Sequence, residues 1–459
     1  MKKKIGIFID HDLFIRNFLI TKVFSSLDKK FDILYIFPDE KNRAGIRRRI
    51  SKSILKKLNL KKKILTKVDF LRHKKLRYFH FISNFYYSRY KSGLDKNAFL
   101  YFQKKAINSR SFYFLLRFLS IKPIYFFISQ IFKNFVLKDN IYLKNVIIEN
   151  SIDIILHPTS WEGFFDSDLI DLGKKLNIPT IFLMNSWDNP NLSGMTHGYP
   201  DKYLVWGKKS KEYSLRYKKI PLKNIETIGS AQFTYNKTEK LINYKNIIKL
   251  KKSADFIVYA GSNMGINESD HLQIIDNYIL KNNRNYKIVY RPHPWKQRSK
   301  NEEHINNYKF KNIILDPYSK KNYDELFLKK KNEGIIGSKF NESRTIINSS
   351  SGVFGPIGTL CLEACWLKKP IATYIPENKN ELNDYMRYFV NAKHIQDFIN
   401  DLSIPVVKNK FEIGMVLDKI YHQNKLHKQN ILRFKKSQKY LDPKLNYSKK
   451  LFDIIKKIK

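Results

Sequence analysis

SSSGVFGPIGTLCLEACWLKKPIATYIP, residues 349–376, reads as a strand, a glycine-containing turn, a helix and a second strand after Lys368–Pro370. An apolar run that breaks at Gly-Pro-x-Gly-Thr and reopens as the helix-compatible TLCLEACWL is the strand–turn–helix unit of a parallel α/β sheet. Gly355 and Gly358 expose backbone N–H groups without a Cβ in the way, and Thr359 begins the helix. The positive end of the helix dipole and a hydroxyl thus share one turn, a suitable cradle for a phosphate or diphosphate. Ser349, Ser350 and Ser351 can add hydroxyl donors. Glu363 lies one helical turn beyond Thr359 on the same face, where a carboxylate can accept from ribose hydroxyls. The plainer reading, Thr359 as an N-cap and Glu363 as a surface residue, leaves the glycines to be explained separately.

A second constellation precedes it. KIVYRPHPWK, residues 287–296, is a short strand that delivers Arg291 and His293 to a carboxyl edge, with Pro292 and Pro294 fixing φ on either side of the histidine. The carboxyl edge is where open α/β sheets bind ligands. An imidazole can donate to a phosphate oxygen there, and a guanidinium can add a two-pronged contact. A proline-punctuated loop with a solvent-facing histidine is the competing reading.

Outward from these motifs, the chain of 459 residues has the length of two domains. Strand-like segments at Ile5–Ile9, Ile33–Phe37, Ile152–Leu156, Thr180–Met184 and Lys202–Trp206 predict one parallel sheet. A second series, Phe256–Ala260, Lys287–Tyr290, Ile313–Leu315, Gly352–Phe354 and Pro370–Tyr374, predicts another. The expected organisation is a first domain over 1–230, a linker over 231–252, a second domain over 253–410, and terminal helices over 411–459 that pack back across the domains.

Residues 41–145 break the βα rhythm and read as a basic, aromatic helical insertion. Residues 41–140 alone hold 26 Lys/Arg against 3 Asp/Glu. The most apolar part, FYFLLRFLSIKPIYFFISQIF (112–132), is interrupted by Arg117, Lys122 and Pro123, too soon for a bilayer-spanning helix of about 20 residues. It suits a helix lying on an anionic membrane as well as it suits a solvated cap. The net charge of +45 points to anionic partners: nucleic acid, anionic lipid or phosphorylated substrates. Cys361 and Cys365, the only cysteines, sit four apart in one helix; they form no disulfide framework and suit a reducing cytoplasm.

The first sheet carries its own candidates at strand carboxyl ends: Asp10 and His11 after the first strand, and His157 and Glu162 in HPTSWEGFFDSD. Asp10 and Asp12 flank His11 and can raise its basicity. Trp161 offers a sugar-stacking face. Asp166-Ser167-Asp168 opens a helix and reads as capping rather than a metal site. In MNSWDNPNLSG (184–194), Trp187, Asp188 and Asn189 are candidates for an acceptor wall, with an Asx-turn before Pro190 as the alternative.

Together, strand-R-x-H-P, S-S, G-P-x-G-T-x-x-x-E-A and K-P resemble the nucleotide-binding half of GT-B glycosyltransferases. The likeness is to bacterial surface-polysaccharide enzymes such as capsular sialyl- and Kdo-transferases and, more distantly, teichoic-acid glycerophosphotransferases. It covers the second domain well, the first loosely and the insertion not at all. The resemblance implies two Rossmann-like parallel-sheet domains facing a cleft. It also implies donor phosphate held by His293, Ser349, Ser350, Ser351 and Thr359, and ribose held by Glu363. Retaining members commonly carry a further glutamate eight positions before the ribose glutamate. Gly355 stands there, which implies inversion and a general base from the first domain. WEG resembles the acidic-Gly motif that supplies this base in bacterial sialyltransferases, which favours Glu162 over His11.

The expectation is therefore a metal-independent, cofactor-free transferase in which the nucleotide sugar is a substrate and the acceptor is a cell-surface or lipid-linked glycan. The enzyme would be cytoplasmic and held at the anionic inner face of the membrane. Same-fold alternatives are a glycerophosphotransferase and a nucleotide-sugar 2-epimerase. A nucleic-acid-binding protein is the remote one, since no recognition motif accompanies the charge.

Overall fold

Runs of four to seven mostly apolar residues form strands buried on both faces, which only a helix-covered parallel sheet allows. A computed structural model describes residues 2–38, 56, 58–65, 70–90, 95–107, 109–136, 140–161, 165–192, 198–233, 244–251, 253–294, 302–327, 340–423, 428–441 and 446–458. The chain divides into two compact units, Met1–Thr234 with Lys439–Lys459, and Tyr235–Gln438.

In the first unit, strands β1 (Lys4–Phe8), β2 (Asp32–Pro38), β3 (Lys62–Leu65), β4 (Ile154–Thr159), β5 (Thr180–Met184), β6 (Lys202–Val205) and β7 (Ile225–Thr227) form one sheet in the order β3-β2-β1-β4-β5-β6-β7. All pairings are parallel. The order reverses between β1 and β4. Ile5, Ile7, Phe18, Leu156, Leu183 and their neighbours make a core completed by Tyr447, Leu451 and Ile455 of the last helix, Tyr447–Lys456.

The second unit repeats the plan with β8 (Asp255–Ala260), β9 (Tyr286–Arg291), β10 (Ile313–Leu315), β11 (Gly352–Pro356), β12 (Ile371–Tyr374) and β13 (Val406–Val407), ordered β10-β9-β8-β11-β12-β13 and again parallel. Its reversal lies between β8 and β11. Helices Ile413–His422 and Lys428–Ser437 belong to this unit, so the terminal helices are shared out between the units. The segment expected as linker carries Tyr244, which is fully buried in the second unit and donates its hydroxyl to Asp316 at 2.6 Å.

Three strands escape the sequence pattern: β3, β7 and β13 are two to four residues long and lie at or near sheet edges. β3, sequence KKIL, falls within the stretch expected to be wholly helical; its exposed lysines suit an edge strand, where charge blocks further pairing. The helical part of the insertion runs from Phe70 to Val136 and occupies the crossover from β3 to β4. Phe79, Phe85, Tyr86, Leu116 and Tyr125 give it a cluster of its own.

At the reversal in the second unit, Gly355 has φ +150°, and a Cβ there would lie 2.2 Å from the Ala260 carbonyl oxygen. Only glycine lets β11 pass β8 this closely. Gly358 differs: a Cβ added there meets nothing within 4 Å. The expected outcome is that Gly355→Ala costs roughly 2–4 kcal/mol of stability whereas Gly358→Ala changes it by less than about 1 kcal/mol. Chemical denaturation of both variants checks this.

Candidate functional site

In a doubly wound sheet the loops on either side of the reversal part and leave a crevice at the strand carboxyl ends. In the second unit the bounding loops follow β8, β9 and β11. After β11, Gly358 occupies the N-cap of helix Thr359–Trp366 in extended geometry, and no side chain caps the helix. Thr359 is therefore the first helical residue and not the cap. Its neighbourhood is half-exposed, so the first-turn N–H groups can face a ligand. Glu363 is buried on the same helical face as Thr359. Cys361 and Cys365 are buried in this helix, and burial pushes the Cys361 thiol up to about 11, which makes both packing residues.

His293 lies half-buried just beyond β9. Arg291, expected to grip a phosphate, is committed elsewhere. Its guanidinium pairs with the fully buried Asp316 and donates to Ser343 Oγ at 3.2 Å. Asp316 also accepts from the Tyr244 hydroxyl, the Ser319 hydroxyl and the Tyr318 N–H. Burial and then Asp316 push the Tyr244 hydroxyl far above its ordinary range, so it stays a donor. This network anchors the β9 and β10 ends to Tyr244; it is scaffolding, because a buried carboxylate demands its cation.

Ser349, Ser350 and Ser351 are a correction. They precede β11, and its five residues, at about 3.3 Å each, separate them from Gly358. They sit at the amino edge, opposite the phosphate cradle. Ser349 Oγ accepts from Tyr244 N at 3.3 Å, and Ser350 Oγ donates to the Ile347 carbonyl at 2.8 Å.

The loop after β8, GSNMGIN (261–267), went unread in the sequence although it borders the reversal. A Cβ on Gly261 would stand 3.0 Å from Pro292 Cα, and Gly265 holds φ +82° beside Asn383. Glu268, 1% exposed, accepts from Ser262 N at 2.7 Å and from the Tyr290 hydroxyl at 2.6 Å, tying the loop to β9. The legible signal was two glycines four apart directly after a strand.

In the first unit, Asp10 and His11 follow β1 and the Ser160–Trp161 turn follows β4, so both flank its reversal. Glu162 lies outside the described residues. His11 Nδ1 accepts the Leu13 N–H at 2.9 Å and caps a helical turn. A neutral ring that accepts at Nδ1 carries its proton on Nε2, which disfavours it as a base.

His157 lies within β4 and is buried. Its Nδ1 is 2.9 Å from the Phe8 carbonyl, to which it can only donate, and its Nε2 is 3.3 Å from Asp166 Oδ1. Burial works to lower its pKa, but Asp166, Asp10 and the Phe8 carbonyl outweigh it, leaving the value raised. Asp166 also accepts from Thr159 Oγ1 at 2.5 Å, and Thr159 accepts from Trp161 N at 2.7 Å. Asp168 accepts from Asn140 at 2.8 Å. The two aspartates thus tie other elements to the first turn of their own helix, Phe165–Leu176, where a negative charge also suits the dipole.

Trp161 and Trp187 are buried and offer no sugar platform. Trp161 packs on Tyr203 and donates to its hydroxyl at 2.8 Å, while Trp187 meets Tyr440 edge-on. Trp161 holds φ +57°, a strained conformation directly before Glu162. Asn189 Oδ1 accepts from Ser186 N at 2.6 Å, a turn closure that accounts for it, and Asp188 is half-buried alongside. Polar residues without a motif do meet at this edge. Asn17, fully buried, donates to Asn185 at 2.7 Å, and Asn185 donates to Ser160 at 3.3 Å.

The raised His157 value has a stability consequence. A group whose pKa is higher folded than unfolded contributes fully below its unfolded value, near 6.5, and loses that contribution as pH rises through the folded value. Wild type is expected to lose stability as pH climbs above 6.5, and His157→Gln to lack that slope. Melting temperatures across the range, with a flat difference between the two proteins as the contrary result, decide it.

No protein-family model matches the sequence, and no curated protein sequence matches it. Solved structures do. A putative UDP-N-acetylglucosamine 2-epimerase from Listeria monocytogenes is similar with a TM-score of 0.52 and 10% identity, over 99% of this chain and 96% of that one. The S. aureus MnaA–UDP co-structure gives 0.51 and 11% over 99% and 96%. CalG4, the calicheamicin glycosyltransferase, gives 0.50 and 7% over 99% and 98%. With two parallel, doubly wound sheets of seven and six strands, the chain has the GT-B fold.

Proposed function

We propose that the chain is a glycosyltransferase that takes a sugar from a nucleotide-activated donor and transfers it to a surface polysaccharide or lipid-linked glycan. The observation that carries this reading is the uncapped Gly358–Thr359 helix start at the reversal of the second sheet, with the His293 loop at the same carboxyl edge, after the strand on the far side of β8. Gly358 has no packing reason to lack a side chain. The open space leaves room for a diphosphate oxygen against the backbone. Of the similar structures, one is a complex with UDP and another is a glycosyltransferase.

In this reading the helix N-terminus and His293 stabilise the leaving diphosphate, and Glu363 holds the ribose. Neither contact calls for a divalent metal. Displacement from the face opposite the leaving group inverts the anomeric centre and requires a base for the acceptor hydroxyl. The cap bond of His11 leaves the carboxylates Asp10 and Glu162 as the better candidates. A 2-epimerase is the second reading, favoured by the two UDP-bound or epimerase structures among those similar.

Thermal-shift titration with UDP, CDP, CMP and their sugars is expected to raise the wild-type melting temperature for at least one of them. His293→Ala and Gly358→Val should each weaken that response about tenfold or more while melting normally without ligand. Equal responses from wild type and variants would dismiss this donor site. With the stabilising nucleotide sugar, released nucleotide and elongated acceptor mark the transferase, and a 2-epimerised sugar without acceptor marks the epimerase. Asp10→Asn or Glu162→Gln should then reduce turnover by about 10²-fold or more without weakening nucleotide binding.

A further inference from the structure

Helices Arg110–Leu119 and Lys122–Ile131 follow one another in the crossover between β3 and β4, with axes turned by 89°. The first is started by Ser109, whose hydroxyl accepts the Phe112 N–H, and the second by Pro123 in its first turn. Each has an inner face that is accounted for. Leu116 and Tyr125 pack with Phe79, Phe85 and Tyr86 of helix Phe70–Tyr90, where Tyr125 stacks on Tyr86 at 3.9 Å between ring centres. The outer faces are also apolar. Phe114, Phe118, Phe126, Phe127 and, just beyond, Phe135 are between 51% and 71% exposed. So many open phenylalanines within 22 residues exceed what scattered surface hydrophobes explain.

The charge around them has one sign. Residues 96–138 contain eight Lys/Arg and no Asp or Glu. By helical spacing, Arg110 and Arg117 border the Phe114–Phe118 stripe, and Lys122 borders Phe126. All three cations are exposed, and none forms an ion pair among the described residues. No single described helix is long and apolar enough to cross a membrane.

We propose that this bent pair of helices docks the protein on an anionic phospholipid surface. The phenylalanines enter the headgroup–acyl boundary and Arg110, Arg117 and Lys122 meet lipid phosphates. Lipid fits better than a second copy of this chain, because a symmetric contact would set the same uncompensated cations against each other. The docking face does not depend on the nucleotide reading and fails or stands separately from it.

The test uses the full chain without nucleotide. Flotation with phosphatidylcholine vesicles is compared with flotation on vesicles that also contain phosphatidylglycerol, at low and high salt. Binding is expected on the anionic vesicles only, and weaker at high salt. Replacing Phe114, Phe118 and Phe127 together by Ser should lower partitioning about tenfold or more, with an unchanged melting curve because these rings are exposed. Replacing Arg110, Arg117 and Lys122 by Gln should remove the preference for anionic lipid. In a separate Phe127→Trp protein, the emission of the introduced indole should shift to the blue on anionic vesicles and be quenched by brominated acyl chains. The proposal is overturned if the wild type ignores anionic vesicles, if the serine variant binds as well as wild type, or if the emission of the Phe127→Trp protein is unchanged. Self-association that the serine substitutions abolish, without vesicle binding, would assign the face to a second copy instead.

Discussion

The structure depends on a constraint of parallel sheets: crossovers between parallel strands are right-handed as a rule, so where strand order reverses, the connections leave in opposite directions. Chain cannot fill that point at the carboxyl ends, and a crevice follows in each unit. Between β8 and β11 the reversal also forces close passage, and Gly355 answers it by placing its Cα against the Ala260 carbonyl. The donor-site candidates are consequences of this geometry. His293 is one strand away from the reversal, and Gly358–Thr359 lie directly upon it.

Around both crevices the loops are held by buried polar groups whose partners are specific. Arg291 and Asp316 secure the ends of β9 and β10, Glu268 joins the loop after β8 to Tyr290, and the His157–Asp166–Thr159 chain fixes the turn after β4. Such pairs add little net stability over apolar packing, yet removing one partner strands a buried charge at a cost of about 3–5 kcal/mol. Their effect is to allow one arrangement of each loop. Trp161 shows this: its positive φ is sustained by the Thr159 acceptor and the Tyr203 hydroxyl, and it sets the course of the chain into Glu162.

Much of the fold was legible because long apolar strands separated by helices admit few topologies. Ten strands were placed to within three residues at each end; the three that were missed are edge strands only two to four residues long, too short to show a period. The site was less legible for a different reason. A polar residue near a strand end has the same appearance in sequence whether it faces a ligand or a buried partner. Arg291 beside His293 suggested a phosphate grip, and Asp316, 25 residues later, claims the guanidinium. The triple serine beside GPIGT suggested donors for one phosphate, and the intervening β11 puts it at the other edge of the sheet. Trp161 and Trp187 suggested sugar platforms, and both are core.

From the sequence alone came the two sheets, the glycine-threonine helix start and the cationic, aromatic insertion, since each is written in local periodicity or composition. The tertiary structure decided which polar side chains are committed to buried partners and which phenylalanines are left outside. Those outcomes depend on contacts between residues far apart in the chain: Arg291 with Asp316, His157 with Asp166, Tyr125 with Tyr86. No local pattern encodes whether such a partner will arrive.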